Sequence, residues 1–137
     1  MPNRHPKDQE IRNVGVRMLE FDRLIKNIYD APDFPTDLMG HDEYQLSSAL
    51  NAMRQANRYY GSRIISAINR GDKVGAMLKQ VATAVLVVGD TLYFLSSGRA
   101  DPKVKRAAKG VYQKLYQFRT RSLAPLIVMV NIAEREM

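Results

Sequence analysis

Seven basic side chains, Lys103, Lys105, Arg106, Lys109, Lys114, Arg119 and Arg121, fall between Pro102 and Ala133 with no Asp or Glu among them. The whole chain carries a net charge of +7, and residues 1 to 101 hold thirteen Lys and Arg against twelve Asp and Glu, so the excess is segregated in this one segment. A one-signed patch attracts a polyanion, whereas interspersed charges only keep a surface soluble. Projected at about 100° per residue, Lys105, Lys109, Tyr112, Tyr116 and Arg119 share one flank of a helix, and Lys103, Arg106, Lys114 and Arg121 surround the remaining exposed surface. Lys and Arg heads reach phosphate oxygens, while Tyr can donate to a phosphate or stack on an exposed base. The bland alternative is a solvated face, but helices exposed only to water ordinarily mix signs for i, i+4 support. The pattern therefore points to nucleic acid.

Two further basic sets are candidates for the same surface. Arg54 and Arg58 lie on one flank of a second amphipathic segment and Arg63 and Arg70 on the other, with Tyr59 and Tyr60 between them and no acid from Gln45 through Gly71. Arg4, Lys7, Arg12 and Arg17 make the start of the chain basic before Glu20 and Asp22 reverse the sign, as in arms that track a phosphate backbone. Catalytic signals are weak. The two histidines, His5 and His41, stand far apart in sequence, and His41-Asp42-Glu43 fits helix capping better than metal ligation. Neither a phosphate-binding glycine loop nor a nucleophile elbow is present. Glu20 with Asp22, and Asp42 with Glu43, point apart on a helix. The expectation is a non-enzymatic protein without metal or cofactor.

Apolar residues three and four apart supply the elements that must position these charges. Ile11, Val14, Met18, Phe21, Ile25 and Ile28 form one stripe, which predicts a helix over residues 8–30 with Asp8 and Glu10 at its positive end. Pro32, Pro35 and Gly40 break the chain. A second helix over 42–69 carries Leu46, Leu50, Met53, Tyr60, Ile64 and Ala67, with Asn57 as a polar member of the seam, where such residues set register at a cost in stability. Gly71 reads as a stop and Asp72 as the N-cap of a third helix over 73–97. Between Val74 and Gly98 that helix holds only Lys79 and Asp90 as charges, so it is expected to be the most enclosed. Asp101-Pro102 starts a fourth helix reaching about Thr120, with Val104, Ala108, Val111, Leu115 and Phe118 inward. Leu126 to Ile132, after Ser122 and Pro125, is a candidate short fifth helix that either caps the core or lies between subunits.

The fold class expected is all-α: an antiparallel helix bundle of four to five helices with a basic N-terminal arm or helix. Residues 1–137 form a single domain, in which 1–30 are the arm and first helix, 42–121 the bundle core and 122–137 an apolar C-terminal segment. A chain of 137 residues is long enough for one real core. It contains no Cys, which removes disulfides and thiolate chemistry. The polar start lacks a secretory pattern, and Val81 to Leu95, interrupted by Gly89 and Asp90, falls short of the roughly 20 residues that span a bilayer.

With a basic arm, a small set of helices, an acid-free helix and an apolar C-terminus, the whole chain resembles in architecture the small helical coat proteins of filamentous and rod-shaped archaeal viruses. The resemblance implies subunits that pair, self-associate or join a paralogous subunit, and wrap linear double-stranded DNA. It places the protein in a virion or the host cytoplasm. Arg4, Lys7, Arg12 and Arg17 would correspond to the wrapping arm and the fourth helix to the duplex-facing surface. A looser likeness, through Phe34-Pro35 and the succession of helices, links the chain to the accessory variability proteins of retroelements. Those are basic bundles that form small closed oligomers and bind nucleic acid together with a protein partner.

Overall fold

The computed structural model describes residues 5–30 and 40–137, and every regular element among them is helical. Helix α1 spans Asp8–Tyr29. Its predicted stripe is the reason it holds its place: Ile11, Val14, Met18, Phe21 and Ile25 are buried and Ile28 is half-buried against the same core. Residues 8–29 thus belong to the packed body, and of the basic residues assigned to the arm only Lys7 precedes them among the described residues. Arg4 and the Phe34-Pro35 step lie outside the described residues.

Helix α2 runs from His41 to Asn69. It ends where predicted, because Gly71 takes a φ of 77° that side chains with a Cβ rarely adopt. Helix α3 spans Gly75–Ser97, and its N-cap is Val74 rather than the expected Asp72, whose carboxylate instead accepts from Arg70 Nε at 2.9 Å. Helix α4, Pro102–Gln117, opens as the sequence predicts: Pro102 occupies the first turn and the Asp101 side chain accepts from the Lys103 backbone N–H at 2.9 Å.

The gap expected between a fourth helix ending near Thr120 and a short fifth helix at Leu126 is absent. A π-helical segment, Phe118–Leu123, joins α4 directly to α5, Ala124–Arg135. Two features of the sequence account for it. Pro125 has no N–H for a regular i→i−4 bond and its ring crowds the preceding turn, a conflict that a widened turn relieves. The inward stripe also jumps by five residues, from Phe118 to Leu123, and both are buried. A turn with i→i+5 bonding keeps the two facing inward, where a regular α-turn would rotate one of them away. The C-terminal apolar run then divides: Leu126 and Val130 enter the core, whereas Val128 and Ile132 face solvent.

Contacts between α1 and α2 run in reverse sequence order. Asp22 of α1 accepts from Arg54 of α2 at 3.1 Å, and Arg12 near the start of α1 donates to Asn69 at the end of α2. Tyr60 of α2 donates to Gln80 of α3 at 3.0 Å, and Tyr93 of α3 meets Tyr112 of α4 with ring centroids 5.5 Å apart. Phe21 and Phe118 close the circuit edge-to-face at 5.3 Å. Helix α3 is less enclosed than expected. Leu78, Val81, Val85, Val88, Leu92 and Leu95 are buried, but Leu86, Val87, Tyr93 and Phe94 are exposed. The helix has 23 residues, long and apolar enough by length and composition to cross a membrane, with 33% of its most apolar window buried in the fold. Its scarcity of charge therefore reflects an apolar outer face as well as an apolar inner one.

Candidate nucleic-acid interface

Helix α4 presents its cations because its apolar residues are consumed by the core. Val104, Ala108, Val111, Leu115 and Phe118 are all buried, which forces Lys103, Lys105, Arg106, Lys109 and Lys114 outward, and all five are exposed. Arg119 and Arg121 extend the charge into the π segment and are exposed as well. Among the described residues no carboxylate forms an ion pair with Lys103, Lys105, Lys109, Lys114, Arg119 or Arg121. The concentration of charge read from the sequence thus persists in space.

The two flanks of α4 differ in chemistry. Toward α3, Lys105, Lys109 and Arg119 accompany Tyr112 and Tyr116, whose ring centroids are 6.0 Å apart. Tyr93 joins them from α3, a member that periodicity within α4 alone could not supply. Its position one residue after the inward Leu92 was the available signal. Asp90 and Arg119 line the small crevice beside these rings, which Gly89 leaves open. Toward α1, Lys114 faces Arg17 and Glu20 across a cleft of about 330 Å³ floored by Phe21, Leu24 and Phe118.

The α2 set behaves differently. Arg54 is bound to Asp22 at 3.1 Å and Arg58 approaches the same carboxylate at 4.0 Å. Arg70 pairs with Asp72, and Arg63 sits 3.8 Å from the Tyr59 ring centroid while donating to the Tyr59 carbonyl. The acid-free run in α2 is therefore unopposed only along the chain, since α1 and the α2–α3 turn bring carboxylates to it. Of the N-terminal set, Arg12 is paired with Asp8 at 3.0 Å, Arg17 is exposed and Lys7 is half-buried. The α2 and α4 sets do not converge into one groove: Arg54 and Arg58 serve the α1–α2 seam.

The most tightly built polar group is elsewhere. His5 and Glu134 are 2% and 9% exposed. The Glu134 carboxylate accepts from the backbone N–H groups of Val74 at 2.6 Å and Gly75 at 3.1 Å, replacing the cap that Asp72 was expected to provide. His5 Nδ1 accepts from the Lys7 backbone N–H at 3.0 Å, so Nε2 carries the hydrogen and donates to Glu134 at 3.1 Å. A carboxylate at the positive end of a helix is favourable, and here it ties both ends of the chain to α3. Gly75 permits the approach, since a Cβ there would lie 2.7 Å from Glu134 Oε2. Nothing in the sequence marks a pair separated by 129 positions. Among the described residues no cluster of three His, Asp or Glu is arranged to hold a metal. His41 hydrogen-bonds Gln45 at 3.0 Å, and its expected capping role is not filled, because Gly40 is the N-cap of α2 without a side-chain bond.

No protein family model, curated protein or solved structure matches this chain.

Proposed function

We propose that this is a non-enzymatic, sequence-independent nucleic-acid-binding protein: an antiparallel helix bundle that self-associates and packages duplex DNA along α4, in the manner of a viral coat subunit within a virion or host cytoplasm. The observation that carries this reading is the exposed run of one-signed charge on α4 and the π segment. Lys103, Lys105, Lys109, Lys114, Arg119 and Arg121 are exposed, and among the described residues no carboxylate pairs with any of the six, while Arg12, Arg54, Arg58 and Arg70 each meet one. An acid-free run of exposed cations on one helix is a surface suited to a polyanion. Self-association is supported by a second, uncharged surface. A groove of about 350 Å³ between α2 and α3 is lined by Tyr44, Gln45, Ser48, Ala49, Ala52, Val87, Val88 and Thr91, and Phe94 is exposed further along α3. Apolar faces of this kind are common at protein contacts. The same face favours, as a second reading, the closed oligomer of an accessory bundle with a protein partner.

The test is duplex binding as a function of salt, followed by microscopy of the complexes. Six phosphate contacts give a log–log slope of about −5 and a loss of roughly a thousandfold between low and moderate salt. The double substitution Lys105→Glu and Lys109→Glu is expected to abolish binding while circular dichroism stays unchanged. Salt-independent binding, or full affinity in that variant, would remove α4 as the interface. Filaments that follow DNA length support the coat reading, and discrete particles of fixed size support the closed oligomer.

A further inference from the structure

We infer that the α3-facing flank of α4 also binds unpaired nucleotides, by stacking them on Tyr93, Tyr112 and Tyr116. The inference rests on the nucleic-acid reading above and adds strandedness to it. Its basis is that the two flanks of α4 offer a polynucleotide different chemistry. The flank toward α1 carries Lys114, across a cleft from Arg17 and Glu20, and no exposed ring. The flank toward α3 carries three tyrosines whose successive centroids lie 5.5 and 6.0 Å apart, tilted by 53° and 31°.

Two of those rings stand outside the core and the third lies at its edge. Tyr93 and Tyr116 are 57% and 52% exposed, and Tyr112, though partly buried, packs between them. Stacking rings against one another at the surface leaves their outer faces wet, and a base is a planar apolar group that can cover such a face. A duplex cannot supply one, because its bases already stack on each other and show only their edges in the grooves. An unpaired strand can, and interleaved cations and aromatic rings are the chemistry that holds such strands without regard to sequence.

The cations frame the row. Lys105 and Lys109 lie at one end and Arg119 at the other, spanning roughly 21 Å of helix at 1.5 Å per residue, and none of the three has a carboxylate partner among the described residues. Asp90 is the acid at this platform, lining the crevice with Tyr112, Tyr116 and Arg119. Its carboxylate repels phosphate and accepts from base N–H groups. The sugar–phosphate chain is thereby directed along Lys105 and Lys109, and the bases toward the rings and Asp90.

Fluorescence anisotropy with labelled oligothymidine and with a duplex of equal length tests this on the full chain. The double variant Tyr93→Ala and Tyr116→Ala should lose about tenfold or more in single-strand affinity per ring, far more than it loses in duplex affinity. Both side chains are more than half exposed, so folding is preserved, as melting will verify. Tyr93→Phe with Tyr116→Phe should retain single-strand binding, because stacking needs the ring and not the hydroxyl. The chain has no Trp, so quenching of tyrosine emission on adding oligothymidine gives a second readout. Single-strand affinity that survives the alanine substitutions, or falls equally in the phenylalanine pair, overturns the stacking site while leaving the duplex reading intact. Failure to bind either polymer overturns both.

Discussion

Replacing Glu134 by Ala removes one side chain that completes the start of α3 and anchors the N-terminal residues. The Val74 and Gly75 N–H groups would lose their acceptor, and the buried His5 Nε2–H would lose its own. A buried donor left unsatisfied costs about 1–3 kcal/mol, and three are at stake. Truncation also opens a path for water to the two backbone groups, which places the sum near the lower end, at about 3–4 kcal/mol. For a chain of this size a loss of 1 kcal/mol lowers Tm by about 4 °C, so Tm should fall by roughly 12–16 °C. Thermal denaturation followed at 222 nm measures it. Glu134→Gln keeps one acceptor oxygen and should cost about half as much, which separates hydrogen bonding from loss of the side chain. Gly75→Ala is expected to reproduce part of the defect without touching either partner, because its Cβ would meet Glu134 Oε2 at 2.7 Å. A Tm within a few degrees of wild type for Glu134→Ala would refute the reasoning, since the α3 amides would then be satisfied without the carboxylate.

Asn57 is 1% exposed and neither of its amide atoms has a hydrogen-bond partner, so Asn57→Leu should stabilise the protein by about 1–3 kcal/mol. An unchanged or lowered denaturation midpoint in urea would show that the amide is satisfied or that the site cannot take the larger branch. Asp101→Ala should cost about 1 kcal/mol through loss of the cap at α4, and Asp101→Asn should recover most of it. An alanine variant as stable as wild type would show that Pro102 alone starts the helix.

Much of the fold was legible because helical periodicity is a local property. The stripes Ile11 to Ile25, Leu46 to Ile64, Leu78 to Leu95 and Val104 to Phe118 are buried as their spacing requires, save Tyr60, which is half-buried at the edge of the core, and Gly71 and Asp101-Pro102 mark boundaries by chemistry confined to one or two residues. The continuation through Pro125 was less apparent, since proline ordinarily ends a helix and the compensating five-residue jump from Phe118 to Leu123 acquires meaning only once both residues are known to face inward. The outer face of α3 was misjudged for a related reason: a helix with few charges can be enclosed or can be exposed and apolar, and composition does not distinguish them.

The one-signed charge of α4 belongs to the sequence itself, because ion pairs one turn apart depend only on neighbours along the chain, and no residue within Pro102–Gln117 is acidic. Whether a cation is also unopposed in space depends on what other helices carry. That was decided by tertiary structure, which delivered Asp22 to Arg54 and Arg58, brought Tyr93 beside Tyr112, and set Glu134 against the first amides of α3. Each of these pairs couples residues whose separation along the chain exceeds any local pattern, so only the packing of whole helices could bring them together.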